Sequence, residues 1–135
     1  MRMKRLATVL VAVTALLGAG LTAPADAGNP NLGRLRANDQ VLRKGCHDYR
    51  YAYQVISRAE EWALETFLRD PTGEIIASNA KDSMVDAKRG HGTFRFCRYS
   101  TQPGRFKIRG KLTRYDGYDQ TVGWVQPAFF RLRRR

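Results

Sequence analysis

The chain of 135 residues is strongly basic, with 24 Lys and Arg against 12 Asp and Glu and a formal net charge of +12 at pH 7. Its size predicts a single domain. Its charge either favours anionic partners, such as acidic cell-wall polymers, acidic glycans, anionic lipid headgroups or nucleic acid, or serves solubility alone. It contains no G-x-S-x-G, H-E-x-x-H or phosphate-cradling glycine motif, which leaves those hydrolase, zinc-protease and nucleotide-binding classes without support. We expect no cofactor and no metal.

Residues 1–27 are typical of a secretory signal peptide. Basic residues at positions 2, 4 and 5 precede an apolar run over 6–17, and Ala25-Asp26-Ala27 fits a cleavage site. The run is shorter than the ~20 residues that a membrane-spanning helix needs, so we expect a secreted chain with no transmembrane segment. Cleavage after Ala27 removes three basic residues and one acid, and leaves 108 residues with a net charge of +10.

The only two cysteines are Cys46 and Cys97. In an exported protein an even cysteine count predicts a disulfide bond. The bond would close a loop of 51 residues, which the chain-entropy model values at ~4 kcal/mol. That amount is comparable to the whole net stability of a small domain.

The first part of the exported chain gives no clear element. Gly28-Asn29-Pro30-Asn31 is a poor start for regular structure, so residues 28–44 are predicted to be a flexible lead-in and 45–135 the domain. A short helical turn, or a strand beginning near Val41, is the alternative.

Residues 46–56 give the clearest strand. His47, Tyr49, Tyr51, Tyr53 and Val55 alternate with polar or small residues, which is the period of a pleated strand. The tyrosine-rich face either packs on the core with its hydroxyls at the rim or forms a platform on which another protein docks.

Residues 57–68 fit two structures. Ser57-x-x-Glu60 is a capping-box pattern that favours a helix. Read as a strand, Trp62, Leu64, Thr66 and Leu68 alternate with Ala63, Glu65, Phe67 and Arg69. Asp70-Pro71-Thr72-Gly73 is typical of a type I or II turn and is followed by a β-rich run over 74–78. We prefer the strand, because it forms a hairpin with 74–78.

The second half of the chain predicts short strands joined by turns. Residues 79–92 form a polar loop, 93–99 and 105–113 a hairpin, and 121–125 and 128–132 two further strands. Turns every eight to twelve residues are typical of an antiparallel sandwich or barrel.

The strand over 105–113 carries the most distinctive pattern. Its apolar side chains point one way, and Arg105, Lys107, Arg109 and Lys111 point the other, which places four cations along ~20 Å. They form either an anion-binding surface or a solvated outer face or protected sheet edge. If the last strand lies alongside, a second cluster joins them: Arg131, Arg133, Arg134 and Arg135.

The sequence offers little for catalysis. Only His47 and His91 suit neutral-pH acid–base chemistry, and both fit ordinary structural positions, so we expect no enzyme and no catalytic residues. The alternative is a small secreted enzyme or inhibitor that uses the loop from Asp82 to His91. The acidic cluster of Glu60, Glu61 and Glu65 either pairs with the basic strand or forms a solvated edge.

An ordered set of motifs carries a resemblance: Gly45-Cys46, the Tyr49–Tyr53 alternation, Trp62, Asp70-Pro71-x-Gly73, Phe94-Arg95-Phe96-Cys97 and Pro103-Gly104-Arg105-Phe106. Over residues 45–135 the chain resembles small secreted actinobacterial proteins of unassigned function. The resemblance implies an all-β, antiparallel immunoglobulin-like β-sandwich and supplies no activity. True immunoglobulin domains place a tyrosine two residues before the second cysteine, where this chain has Arg95.

These observations predict a secreted, non-catalytic domain that binds an anionic partner at the cell envelope, an anionic polymer or an acidic protein. We do not expect nucleic acid as the physiological partner. The sequence does not indicate the oligomeric state.

Overall fold

The computed structural model describes residues 27–135, so the predicted signal peptide lies outside the described residues except for Ala27. Nine strands and one 3-10 turn, Arg98–Ser100, account for the regular structure of the described part. The strands are β1 Asn29–Arg36, β2 Gln40–Val41, β3 Cys46–Val55, β4 Glu61–Arg69, β5 Ile75–Asp82, β6 Arg89–Cys97, β7 Gly104–Asp116, β8 Asp119–Gln126 and β9 Ala128–Arg133.

The strands form two layers that face each other. Sheet A contains β1, β3 and β6, and sheet B contains β5, β4, β7, β8, β9 and β2. Most pairs are antiparallel, but β1 pairs with β8, and β2 with β9, in parallel. The first of these parallel pairs joins the two sheets along one edge. The predicted class, an all-β immunoglobulin-like sandwich with one disulfide, is confirmed.

The core lies between the sheets and is rich in aromatic side chains. On β3, Tyr49 and Tyr51 stack against Phe96 and Phe94 of β6, with ring centroids 4.4 and 4.6 Å apart. Phe106 of β7 closes the cluster from the opposite sheet, 6.0 Å from Phe96. Because successive side chains of a strand point to opposite faces, the alternation of apolar and polar residues decides which face of each strand is buried.

The disulfide joins neighbouring strands of one sheet. Cys46 and Cys97 are direct cross-strand partners at the end of the β3–β6 pair. In antibody domains the corresponding bond connects the two sheets, so the likeness here is to the sandwich and not to that disulfide. The predicted pairing itself is confirmed.

The choice between helix and strand for residues 57–68 is resolved in favour of the strand. β4 buries Trp62, Leu64, Thr66 and Leu68 and forms the predicted hairpin with β5. The turn between them closes through a hydrogen bond from the Gly73 N–H to the Asp70 carbonyl.

The prediction of a flexible lead-in over 28–44 is wrong. β1 lies in it and pairs with β3 and β8, and the two-residue β2 follows near Val41. Pro30 is tolerated because it lies at the start of a strand, where a missing N–H costs little. Leu35 and Leu42 are buried in the core, so this segment belongs to the domain.

Two further boundaries differ from prediction. The expected loop over 79–92 is mostly strand, because β5 extends to Asp82 and β6 begins at Arg89. β5 is an edge strand paired only with β4, and its polar Asn79 donates a side-chain hydrogen bond to the carbonyl of Thr93 in β6 at 2.9 Å. The expected hairpin over 93–113 does not form: β6 pairs with β3, while β7 pairs with β4, β8 and β9. The intervening 3-10 turn carries the chain from one sheet to the other.

Within residues 27–135, no helix has the length and apolar character to cross a bilayer.

Candidate functional site

The four predicted cations of β7 lie on the outer face of sheet B. The apolar partners Phe106, Ile108 and Leu112 are fully buried, so the side chains that alternate with them face outward. Arg105 is exposed, and Lys107, Arg109 and Lys111 are partly covered by neighbouring side chains. The sequence thus placed the basic row on the correct face.

The last strand lies beside this row. β9 pairs with the first half of β7, with Arg105 opposite Arg131. Arg133 follows on the same outward face of β9, and the exposed Arg134 and Arg135 come directly after the strand. The two basic clusters of the sequence therefore meet on one surface.

Aromatic side chains between the cations were not identified in the sequence. The guanidinium carbon of Arg109 lies 4.0 Å from the Trp124 ring centroid, and that of Arg105 lies 4.2 Å from the Phe129 ring centroid. The ammonium of Lys107 lies 5.3 Å from the Phe129 ring. These distances are typical of cation–π contacts. Trp124 and Phe129 remain 37% and 46% exposed.

The division of β7 between two partners produces this arrangement. Its first half pairs with β9 and its second half with β8, so one long strand brings Phe129 and Trp124 to the same edge. A third ring, Phe67 on β4, lies across from Arg109 and 6.3 Å from Trp124. We call these rings and the β7 and β9 cations the basic-aromatic face: Phe67, Trp124, Phe129, Arg105, Lys107, Arg109, Lys111, Arg131 and Arg133.

Acidic side chains also reach this face. Asp39 accepts a hydrogen bond from the N–H of Arg131 at 2.7 Å. Glu65 of β4 forms an ion pair with Lys111 at 3.0 Å. Pairing with the basic strand was one of the two alternatives predicted for the acidic cluster. Both side chains are more than a third exposed, so solvent screens the pair and its contribution to stability is small. Glu60 and Glu61 are exposed before and at the start of β4, and neither has a described ion pair.

The tyrosine-rich face of β3 belongs to the core, and the proposal that it docks another protein is wrong. Tyr49, Tyr51 and Tyr53 are at most 4% exposed. The Tyr51 hydroxyl bonds to the Thr66 hydroxyl at 2.9 Å, and the Tyr53 hydroxyl donates to the carbonyl of Ala87 at 2.8 Å. Burial raises the pKa of Tyr51 and Tyr53 above the ordinary value of 10.0.

The segment from Asp82 to His91 uses its acids for local structure. Asp82 accepts a hydrogen bond from the N–H of Met84, and Asp86 accepts one from the N–H of Asp82 and pairs with Lys81 at 3.7 Å. His91 lies on the outer face of β6, opposite Ala52. In the described residues, no three His, Cys, Asp or Glu side chains are grouped so that they would hold a metal ion.

No protein-family model matches the chain, and the curated proteins searched give no match. Among solved structures, the chain is similar to the CARDB domain of the PF1109 protein from Pyrococcus furiosus, which was crystallised with di-metal ions. The identity is 10% and the TM-score 0.40, over 77% of this chain and 90% of that one.

Proposed function

We propose that the domain is a secreted, non-catalytic binding module that holds an anionic polymer of the cell envelope on its basic-aromatic face. The observation that carries the proposal is the pairing of β7 with β9, which merges two basic clusters on one outward surface. The finer family assignment, to the small secreted actinobacterial proteins that the sequence resembles, is part of the same proposal.

The arrangement of the cations supports a binding role. Adjacent cations ~7 Å apart repel each other by about 0.6 kcal/mol in water before salt screening. Stacking of Arg105 and Arg109 on aromatic rings offsets this at about 0.5–1 kcal/mol per contact. The rings also restrict the guanidinium planes, so less side-chain entropy is lost when an anion binds.

The exposed rings add a second kind of contact. Trp124 and Phe129 offer apolar surface beside the charges, and stacking surfaces of this kind accept flat sugar or ring faces while the cations hold the anionic groups. Charge alone would not require outward-facing aromatic residues at these positions.

The alternative of an enzyme or inhibitor built on the segment from Asp82 to His91 has no specific observation in its favour, because its carboxylates serve the local turn. We therefore propose that the domain is not an enzyme. Secretion rests on the sequence of residues 1–27, and mass spectrometry of the exported protein tests it: we expect an N-terminus at Gly28.

Salt-dependent retention on a column of an anionic polysaccharide tests the proposed function. Replacement of Arg105, Lys107, Arg109 and Lys111 by Gln should lower the salt concentration at which the protein elutes. It should also weaken the dependence of retention on salt concentration. The matched control replaces four cations elsewhere, Lys44, Arg58, Lys88 and Arg95, by Gln, and so keeps the same net charge.

The two variants separate a specific surface from bulk charge. Earlier elution of the β7 variant than of the control supports the basic-aromatic face, and equal elution of the two would refute it. A Trp124→Ala, Phe129→Ala variant should also elute early although its charge is unchanged.

A further inference from the structure

A second basic surface lies on the outer face of sheet A, beside the edge where β1 pairs with β8. Arg34 and Arg36 of β1, Arg89 and His91 of β6, and the intervening β3 residues Ala52 and Gln54 all face outward there. Arg34 aligns with Gln54 and Arg89 in one row, and Arg36 aligns with Ala52 and His91 in the next. We call this surface the sheet A groove.

The strand geometry sets the size of this site. Neighbouring strands are ~4.8 Å apart and residues on one face repeat every ~6.7 Å. The four basic side chains therefore lie at the corners of a rectangle of about 7 by 10 Å. Ala52 lies at the middle of one side of the rectangle, between Arg36 and His91, and its small side chain leaves a depression that is bordered by the long basic ones.

The depression is a groove lined by basic side chains, and Asp39 lines the adjoining depression with Arg36 and His91. The groove has a volume of about 350 Å³ and is lined by Arg34, Arg36, Arg89, His91 and the residues between them. Among the described residues that line it there is no Asp or Glu. Asp48, the acid of the same face of β3, lies further along the strand and pairs with Arg95 at 3.3 Å.

Arg34 adds an independent observation. Its Nε atom is buried and makes no hydrogen bond to any described residue, and a buried polar group without a partner is unfavourable. Arg34 is itself one of the residues that line the groove. An anion bound there could supply the missing acceptor.

We propose that the sheet A groove binds a phosphate group, as a phosphate monoester or a diphosphate. Three guanidinium groups around one depression exceed the single charge of a carboxylate, whereas a phosphate monoester carries about −1.5 to −2 at pH 7. The guanidinium fork also matches two phosphate oxygens at once. This site uses other residues than the basic-aromatic face, although Arg34 and Arg36 also line a neighbouring depression with Phe129, and it does not depend on the function proposed for that face.

Isothermal titration of the oxidised protein with inorganic pyrophosphate tests the site. We expect saturable binding that Arg36→Gln, Arg89→Gln weakens by about tenfold or more, since the variant loses charge-assisted hydrogen bonds to the phosphate oxygens. The control variant Arg58→Gln, Arg95→Gln removes the same charge outside the groove and should bind as wild type does.

A second variant tests shape without changing charge. Ala52→Leu fills the floor of the groove from the outer face of β3 and should also weaken pyrophosphate binding. Circular dichroism shows whether each variant is folded. The β7 variant with four Gln substitutions should keep its pyrophosphate affinity, which separates this proposal from the preceding one.

Three results would overturn the proposal: no saturable binding by wild type, equal weakening in the control variant, or citrate binding as tightly as pyrophosphate. A fourth measurement distinguishes the source of the phosphate. If vesicles containing phosphatidic acid compete with pyrophosphate, a lipid headgroup reaches the groove. If they do not compete, the ligand is a soluble phosphate. Both results require that the groove bind phosphate.

Discussion

Gly92 leaves the space that the Tyr51 ring occupies in the aromatic core. It lies opposite Tyr51 in the β3–β6 register, and the Tyr51 ring covers it so closely that an added Cβ would lie 2.5 Å from ring atoms. The ring has no room to retreat, because it stacks on Phe94 and its hydroxyl bonds to Thr66. Only glycine leaves space for the tyrosine at this position.

We therefore expect Gly92→Ala to lower the free energy of unfolding by about 1–3 kcal/mol, the usual cost of overpacking. Urea unfolding followed by tryptophan fluorescence measures the loss. Thr93→Ala, on the exposed outer face of the same strand, is the control and should change stability by less than about 0.5 kcal/mol. Equal stability of the two variants would contradict the packing argument.

Asp70 connects two loops. Its carboxylate accepts hydrogen bonds from the N–H of Thr72, the N–H of Glu74 and the hydroxyl of Thr101, which joins the β4–β5 turn to the β6–β7 connection. Burial by itself would raise the pKa of Asp70, but these hydrogen bonds and the one from the Thr72 hydroxyl outweigh it and lower the pKa below 3.8.

A lowered pKa in the folded state has a defined effect on stability. The ionised carboxylate contributes stability above about pH 4, and this contribution is lost as the pH falls through the folded-state pKa. Asp70→Asn should cost about 1–3 kcal/mol at neutral pH and flatten the acid limb of stability against pH. Asp119→Asn, at the exposed start of β8, should leave the acid limb unchanged. If the stability of Asp70→Asn fell with pH as steeply as that of wild type, this role of Asp70 would be excluded.

At the scale of elements, strong alternation made β3, β4 and β7 predictable, because each buries one complete face. β1 was missed because Pro30 and Gly33 interrupt its pattern and its partners are far away in the chain. The β6–β7 hairpin was predicted wrongly because adjacency in sequence favours pairing, and nothing local shows that the turn after Cys97 crosses between sheets.

The candidate site was predictable in part for the same reason. Alternation alone identified the cations of β7. Trp124 and Phe129 lie beside them only because β7 pairs with β8 along one half and β9 along the other. Their outward direction follows from the burial of their neighbours Val125 and Phe130, which the structure shows, and their meeting with Arg109 and Arg105 depends on tertiary pairing.

Because β1 is an integral strand, its removal should unfold the domain. A chain that begins at residue 37 loses the partner of both β3 and β8, together with buried Leu35, and we expect no cooperative urea transition. Removal of Arg134 and Arg135, which follow the last strand, is the control and should leave the transition in place. A cooperative transition in the chain that begins at residue 37 would support the original prediction that residues 28–44 are a flexible lead-in.

At the scale of the whole molecule, one covalent link supports a small core. The Cys46–Cys97 bond closes a loop with a separation of 51 residues, so its removal should lower the free energy of unfolding by ~4 kcal/mol in the chain-entropy model. A Cys46→Ala, Cys97→Ala variant measured beside the oxidised wild type tests this. An unchanged urea midpoint would show that the disulfide does not contribute to the stability of the folded domain.

The parallel pairs join segments that lie far apart in the chain. β1 pairs with β8, and β2 pairs with β9, so each early strand lacks one partner until residues 119–133 have been made. Closure of the sandwich must therefore wait for the synthesis of β8 and β9, whatever the order in which the other strands pair.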